Sequence, residues 1–194
     1  MGVAPQFVIG KSRNNGGVES GNWFVWHASA GTDNWLRLNT TVAAASISVN
    51  GGGTMVAPTS TVFSTPYISG SNISGNNYVA YCWAEIEGFS KFGSYVGNGN
   101  ADGPFVYCGF KPAWIIFKRS DASGGWVIKD SSRKSTNPQN SDIFANTFDV
   151  ESDVFDCDFL SNGFKLRDTT SNTSGGTYIF AAFAESPFQT ANAK

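Results

Sequence analysis

The chain has 194 residues, a formal net charge of −2 and only 14% charged residues, against a usual ~25%. The charges are scattered, with no basic stripe to neutralise phosphates, which argues against nucleic acid as a partner. No apolar run approaches the ~20 residues of a membrane-spanning helix, so membrane insertion is not expected either.

The 22 glycines, the 14% aromatic residues and the many Ser, Thr and Asn point to a β-rich, turn-dense fold. Met1-Gly2-Val3-Ala4-Pro5 has neither the basic start nor the apolar stretch of a signal peptide. Cys82, Cys108 and Cys157 are odd in number, widely spaced and without a CxxC pair. They read as small buried hydrophobes in a reduced compartment.

In chain order, Pro5-Gln6-Phe7-Val8-Ile9-Gly10-Lys11 predicts a strand following a proline, and Pro112-Ala113-Trp114-Ile115-Ile116-Phe117-Lys118 repeats its pattern 107 residues later. Gly21-Asn22-Trp23-Phe24-Val25 returns as Gly124-Gly125-Trp126-Val127-Ile128; the shorter spacing reflects a longer loop, residues 14–20, in the first copy. Leu36-Arg37-Leu38-Asn39-Thr40 returns as Ile143-Phe144-Ala145-Asn146-Thr147. The match weakens over residues 43–66, where the first copy carries Gly51-Gly52-Gly53 and the second Asp149-Val150-Glu151-Ser152-Asp153. It then sharpens, since Ser71-Asn72-Ile73-Ser74-Gly75-Asn76-Asn77-Tyr78 answers Ser171-Asn172-Thr173-Ser174-Gly175-Gly176-Thr177-Tyr178. Directly after these, Val79-Ala80-Tyr81-Cys82-Trp83-Ala84-Glu85 faces Ile179-Phe180-Ala181-Ala182-Phe183-Ala184-Glu185.

Short strand-like runs between Gly, Asn, Ser and Pro clusters predict an all-β fold, an antiparallel β-sandwich. One copy alone would be a marginal fold. The expected arrangement is therefore one compact domain of two pseudo-symmetric repeat halves sharing a core: residues 1–87, a connecting joint with a strand at 88–111, and residues 112–194. Two separate small β-domains are the alternative. Gly2-Val3-Ala4-Pro5 aligns with Gly109-Phe110-Lys111-Pro112, whereas residues 95–107 have no counterpart before Gly2. The first half thus looks incomplete, to be finished by an upstream segment or a neighbouring subunit.

A specific motif string runs through the joint and beyond. It comprises Gly88-Phe89-Ser90-Lys91-Phe92-Gly93-Ser94-Tyr95, Gly97-Asn98-Gly99, Asp102-Gly103-Pro104-Phe105-Val106-Tyr107, Gly109-Phe110-Lys111-Pro112-Ala113-Trp114 and Ser161-Asn162-Gly163-Phe164-Lys165-Leu166-Arg167. It resembles a repeat domain of tailed-phage virion structural proteins, found in tail fibres and capsid-surface appendages of marine and cyanobacterial phages. The resemblance implies a lectin-like sandwich of jelly-roll or concanavalin A-like type, a place in a virion assembled in the host cytoplasm, and a homo-oligomer such as a trimer or other virion proteins as partners, and it carries over no catalytic residues. The expected function is non-enzymatic attachment to a host surface. A stand-alone lectin-like carbohydrate-binding module and a glycan-cleaving enzyme are the alternatives.

The candidate sites are few. His27, the sole histidine, follows Trp23 and Val25 at period two and is expected on their strand face in a structural role. Asp149, Glu151, Asp153, Asp156 and Asp158 include pairs of the kind glycoside hydrolysis uses. Their setting, a loop entering a strand at residues 154–160, favours a solvated face with Phe155, Cys157 and Phe159 opposite. Asn98, Asn100 and Asp102 place oxygens at alternate positions of the Gly97 to Gly103 loop, a pattern open to turn chemistry, to Ca2+ or, less well, to a phosphate.

Comparison of the copies marks Trp23 with Trp126, and Trp83 with Phe183, as core. Trp26 answers Lys129 and Trp35 answers Asp142, polar residues expected to reach water. Trp26 and Trp35, near Asp33, Asn34, Arg37 and Asn39, are accordingly the candidate contact for a host-surface glycan or another subunit. Cover of Trp26 by residues 14–20 is the competing reading.

Overall fold

Alternation at period two decides which sheet face each side chain takes. The computed structural model describes residues 2–14, 21–48, 55–65 and 72–186, and in it the alternation resolves into three antiparallel sheets. Sheet 1 holds β1 (Phe7–Ser12), β2 (Phe24–His27), β3 (Asn34–Arg37), β4 (Ala45–Ser46) and β5 (Tyr78–Trp83) in the order β4-β3-β2-β1-β5. Sheets 2 and 3 take up the rest: β6 (Ser90–Val96), β7 (Phe105–Tyr107), β8 (Pro112–Arg119), β9 (Trp126–Asp130), β10 (Ile143–Phe144), β11 (Cys157–Leu160), β12 (Gly163–Leu166) and β13 (Thr177–Ala184). Their orders are β10-β9-β8-β13-β6 and β11-β12-β7. The chain is thus an all-β sandwich. Among the described residues no helix is long and apolar enough to cross a membrane.

Phe7, Ile9, Val25 and Leu36 point from sheet 1 onto Ile116, Trp126, Ile179 and Ala181 of sheet 2, forming one core. The next residue along each strand of sheet 2 points the other way. Ile115, Phe117, Val127, Tyr178 and Phe180 meet Val106, Cys157, Phe159, Phe164 and Leu166 of sheet 3 in a second core. Sheet 2 is therefore the central layer of a three-layer stack. The unbroken apolar run Tyr178-Ile179-Phe180-Ala181-Ala182 is what a strand covered on both faces requires. This third layer was not expected from the repeat, because β7, β11 and β12 have no counterpart strands among the described residues of the first copy. Sheet 1 has no such layer over its outer face among the described residues. There Val8, Phe24, Trp26 and Trp35 are covered by Ile47, Met55 and the partly buried Phe63.

Segments paired by sequence hold the same neighbours, β3-β2-β1-β5 in one sheet and β10-β9-β8-β13 in the next. Local bonds recur as well. Trp23 N–H donates to Asn39 Oδ1 (2.9 Å) while Leu38 N–H donates to the Trp23 carbonyl (3.0 Å). Trp126 N–H donates to Asn146 Oδ1 (2.6 Å) while Ala145 N–H donates to the Trp126 carbonyl (3.1 Å). Likewise the Tyr78 hydroxyl accepts from Ile73 N–H (2.9 Å) and the Tyr178 hydroxyl from Thr173 N–H (3.1 Å). These bonds explain why Asn39, Asn146 and the two tyrosines recur in the sequence. The Gly51-Gly52-Gly53 turn and Ser71 lie outside the described residues.

The joint at residues 88–111 supplies two strands. β6 pairs with β13 from Thr177↔Val96 to Phe183↔Ser90, and β7 joins sheet 3 beside β12. Between them the loop runs hard against residues 172–174: a Cβ on Gly97 would sit 2.1 Å from the Thr173 carbonyl oxygen, so only glycine passes.

Candidate functional site

Trp26 and Trp35 are each only 4% exposed, which corrects the expectation that they stand in water. The reason lies in their partners. Phe24 stacks on Trp35 at 6.2 Å, and Ile47 and Met55 close over both tryptophans. Of residues 14–20, expected as the cover of Trp26, all but Asn14 lie outside the described residues. Trp26 Nε1–H donates to the Gly31 carbonyl (3.2 Å), and the Arg37 guanidinium lies 4.2 Å over the Trp35 ring.

The neighbours expected around a ligand are engaged locally. Asp33 accepts from Ser48 N–H (2.9 Å) and from the Ser46 (2.8 Å) and Ser48 (3.0 Å) hydroxyls, which together hold its carboxyl below the usual carboxylate range. Asn34 Nδ2 donates to the Ala30 carbonyl (2.8 Å), and Asn39 Nδ2 to Asn22 Oδ1 (2.8 Å). Asp33, Asn34 and Asn39, close to the tryptophans in sequence, thus serve as turn and strand clips.

The second copy explains the misreading. Lys129 and Asp142, which replace Trp26 and Trp35, are fully buried and ion-paired to each other, not solvated. Lys129 Nζ also donates to the Gln139 (2.9 Å) and Phe155 (2.5 Å) carbonyls. Asp142 Oδ2 accepts from Val154 N–H (3.0 Å) and Phe155 N–H (2.8 Å). One half fills this place with aromatic rings and the other with a satisfied ion pair.

For Asn98, Asn100 and Asp102 the bonds favour turn chemistry, one of the readings open to them, over Ca2+. Asn98 Oδ1 accepts from Asn100 N–H (3.0 Å) and Asn172 Nδ2 (2.6 Å), and Asn100 Oδ1 accepts from Asp102 N–H (2.9 Å). Asp102 is paired with Lys165 (2.9 Å) and Arg167 (3.3 Å), and the Lys165 ammonium lowers its carboxyl pKa first of all. Oxygens already bonded to N–H donors, beside two fixed cations, make a turn and not a cation cradle. Among the described residues no group of His, Cys, Asp and Glu is disposed to hold a metal.

The strand carrying Asp158 starts at Cys157, later than expected, with Cys157 and Phe159 inward. Asp158 is bound to Arg167 Nε (2.5 Å), so it is one half of an ion pair on the outer face. Burial pushes the Cys108 thiol up to about 12 and Cys157 higher still, which removes both as thiolate nucleophiles at neutral pH.

His27 does lie on the inner face with Val25, and its ring bridges the two sheets. Nδ1 accepts from Ser29 N–H (3.1 Å), leaving Nε2–H to donate to the Phe180 carbonyl (2.9 Å). Burial pushes its pKa down from 6.5 to about 4, against the raising pull of that carbonyl. Between about pH 4 and 6.5 the unfolded chain therefore binds a proton that the folded chain refuses. Stability rises with pH across that window and is lost on acidification. A shift of this size corresponds to roughly 3 kcal/mol, at 1.36 kcal/mol per pKa unit. Urea unfolding at pH 4.5 and pH 7 should show wild type losing on the order of 2–3 kcal/mol more than His27→Gln on acidification. Equal losses would remove the histidine from the account.

What the fold also presents to solvent is a row of rings, two of which, Trp23 and Trp83, pack against the core as the comparison of the copies led one to expect. Trp23 and Trp83 are half-buried, and Tyr81, 48% exposed, stacks between them at 6.5 Å and 6.1 Å. Phe7 backs Trp83 at 5.4 Å, and the Lys11 ammonium lies 5.4 Å over Trp23. In the corresponding row of sheet 2, beside β6, Trp126 and Ala181 are buried and Phe183 is half-buried against the same core. The missed signal is that Tyr81 answers Ala181, a large exposed ring where the other half has a buried small residue. A flat aromatic row of this kind can stack on a sugar or receive side chains of a partner.

A groove of about 200 Å³ between sheet 2 and residues 170–173 is lined by Phe117, Phe155 and Tyr178, with Arg119 at its rim. Arg119 is held by Asp121 (2.9 Å), and the Tyr178 hydroxyl by Thr170 and Thr173. Its polar groups are thus already bonded within the protein.

A family model described as a domain of unknown function, DUF7483, matches residues 1–187. No curated protein and no solved structure matches the chain.

Proposed function

The chain belongs to the DUF7483 family, and we propose that it is a non-enzymatic structural module of a tailed-phage virion, part of a tail fibre or capsid-surface appendage acting in host attachment. The observation that carries this reading is how the fold employs its polar chemistry. His27, Lys129, Asp142, Asp158 and Asp102 are each bonded within the scaffold, and the central sheet is covered on both faces. Such a body suits rigid display, because contact residues held on short strands lose little entropy on binding. The resemblance of the motif string between Gly88 and Arg167 to phage appendage repeats supports the setting. Assembly as a homotrimer would add avidity that one weak site lacks.

A lectin-like carbohydrate-binding module is the second reading, favoured by the stacked rings of Trp23, Tyr81 and Trp83. Mass spectrometry of density-purified phage particles tests the first reading: the chain is expected among the structural proteins at stoichiometric abundance. Its absence from particles, together with glycan binding lost on Tyr81→Ala, would favour the second.

A further inference from the structure

We propose that the outer edge of β5 is a docking site for an extended segment of another protein chain, which adds to sheet 1 as an antiparallel sixth strand. The backbone is arranged for it. β5 pairs with β1 from Phe7↔Trp83 to Ser12↔Tyr78, and Arg13 N–H donates to the Asn77 carbonyl just beyond. Bonded pairs alternate in an antiparallel ladder, so the N–H and C=O groups of Tyr78, Ala80 and Cys82 turn to the other side. Among the described residues no strand pairs with that side.

The edge also lacks the features by which sheets protect such strands. Tyr78-Val79-Ala80-Tyr81-Cys82-Trp83 contains no charge, no proline and no glycine, and Ala80 and Tyr81 are exposed. The other long edge strand, β6, carries Lys91 and Gly93. The remaining edge strands are shorter, from two to four residues.

The second half shows what chemistry covers such an edge. The equivalent side of β13 is taken by β6, antiparallel over seven residue pairs. Phe92 of β6 reaches the inner face and meets Phe183 at 5.9 Å, the position that Trp83 occupies in sheet 1. An occupant of the β5 edge is therefore an extended, proline-free segment with apolar or aromatic side chains at alternate positions, laid over Tyr81 and Trp83. One constraint is relaxed. Gly93 is obligatory opposite Phe180, where a Cβ would come within 2.8 Å of the ring, but β5 has Ala80 at that place and accepts larger residues. The proposed occupant is a β6-like strand of a different protein, and a second copy of β5 is the competing occupant.

The probe is a labelled synthetic peptide of residues 88–97, titrated onto the whole domain. Saturable binding is expected with wild type, weakened at least tenfold by Ala80→Pro, which deletes an outward N–H at a position where an edge strand tolerates proline. Tyr81→Lys, which places a charge on the edge without touching the backbone, should weaken it as well. Circular dichroism of both variants should match wild type, with the thermal midpoint unchanged in Ala80→Pro and lowered in Tyr81→Lys, which gives up the stacking on Trp23 and Trp83. No binding to wild type, or binding indifferent to both substitutions, would overturn the proposal. So would a dimer of the domain that Ala80→Pro dissolves, since the edge would then belong to a second β5. Competition by a glycan that leaves the Ala80→Pro variant fully competent would show that the rings serve sugar and not a strand.

Discussion

Replacing Lys129 by methionine is expected to destabilise the domain by about 3–5 kcal/mol, the usual cost of removing one partner from a buried ion pair. Lys129 and Asp142 are both at 0% side-chain exposure, and the ammonium is the shared donor to Asp142, Gln139 and Phe155. Its loss strands a carboxylate with two N–H donors but no counter-charge. Burial already raises the Asp142 pKa, and the Lys129 ammonium opposes that rise, so the variant should retain a proton on Asp142 to higher pH. Asp142→Leu alone should cost a similar amount by stranding the lysine. The double variant Lys129→Met/Asp142→Leu should cost markedly less than the sum, because paired apolar residues can replace a buried ion pair with little loss. The first half already carries the apolar solution at the corresponding places, in Trp26 and Trp35. Urea unfolding of the four proteins measures the coupling. Single variants costing under ~1 kcal/mol would mean that water reaches the pair.

Trp126→Ala carries the second large effect, about 3–5 kcal/mol for truncating a fully packed aromatic side chain. Trp126 is 1% exposed within the core between sheets 1 and 2, and its Nε1–H donates to the Arg37 carbonyl (2.8 Å), a residue of β3 in the other half. The substitution thus acts on both halves at once. For a chain of this size each kcal/mol moves the midpoint by roughly 2–4 °C, so a drop on the order of 10 °C is expected in a single calorimetric transition. A second transition left at its wild-type temperature would show that residues 1–87 fold on their own.

Much of the fold was legible because the strands obey period two and because the two copies disagree mainly in loops. Pro5 to Lys11 and Pro112 to Lys118 became β1 and β8, and the recurring Asn39, Asn146, Tyr78 and Tyr178 mark bonds that turns need. The third layer was not legible, since among the described residues β7, β11 and β12 have no internal counterpart to announce them. The candidate site was lost to a sound rule applied outside its range. A lysine opposite a tryptophan usually reports solvent, but Lys129 is buried because Asp142 and two carbonyls replace its water. The rings that do meet solvent, Tyr81 above all, were hidden by the likeness of β5 to β13. That likeness concerns chain position and says nothing of β6, which β13 has beside it and for which β5 has no equivalent among the described residues.

The central claim, a display module on the surface of a virion, is tested most directly by electron microscopy of purified phage particles labelled with an antibody to this domain. Label is predicted at fibres or projecting capsid sites, in numbers set by the symmetry of the appendage. Particles that bind no antibody, while the chain is recovered wholly from the soluble lysate, would contradict it.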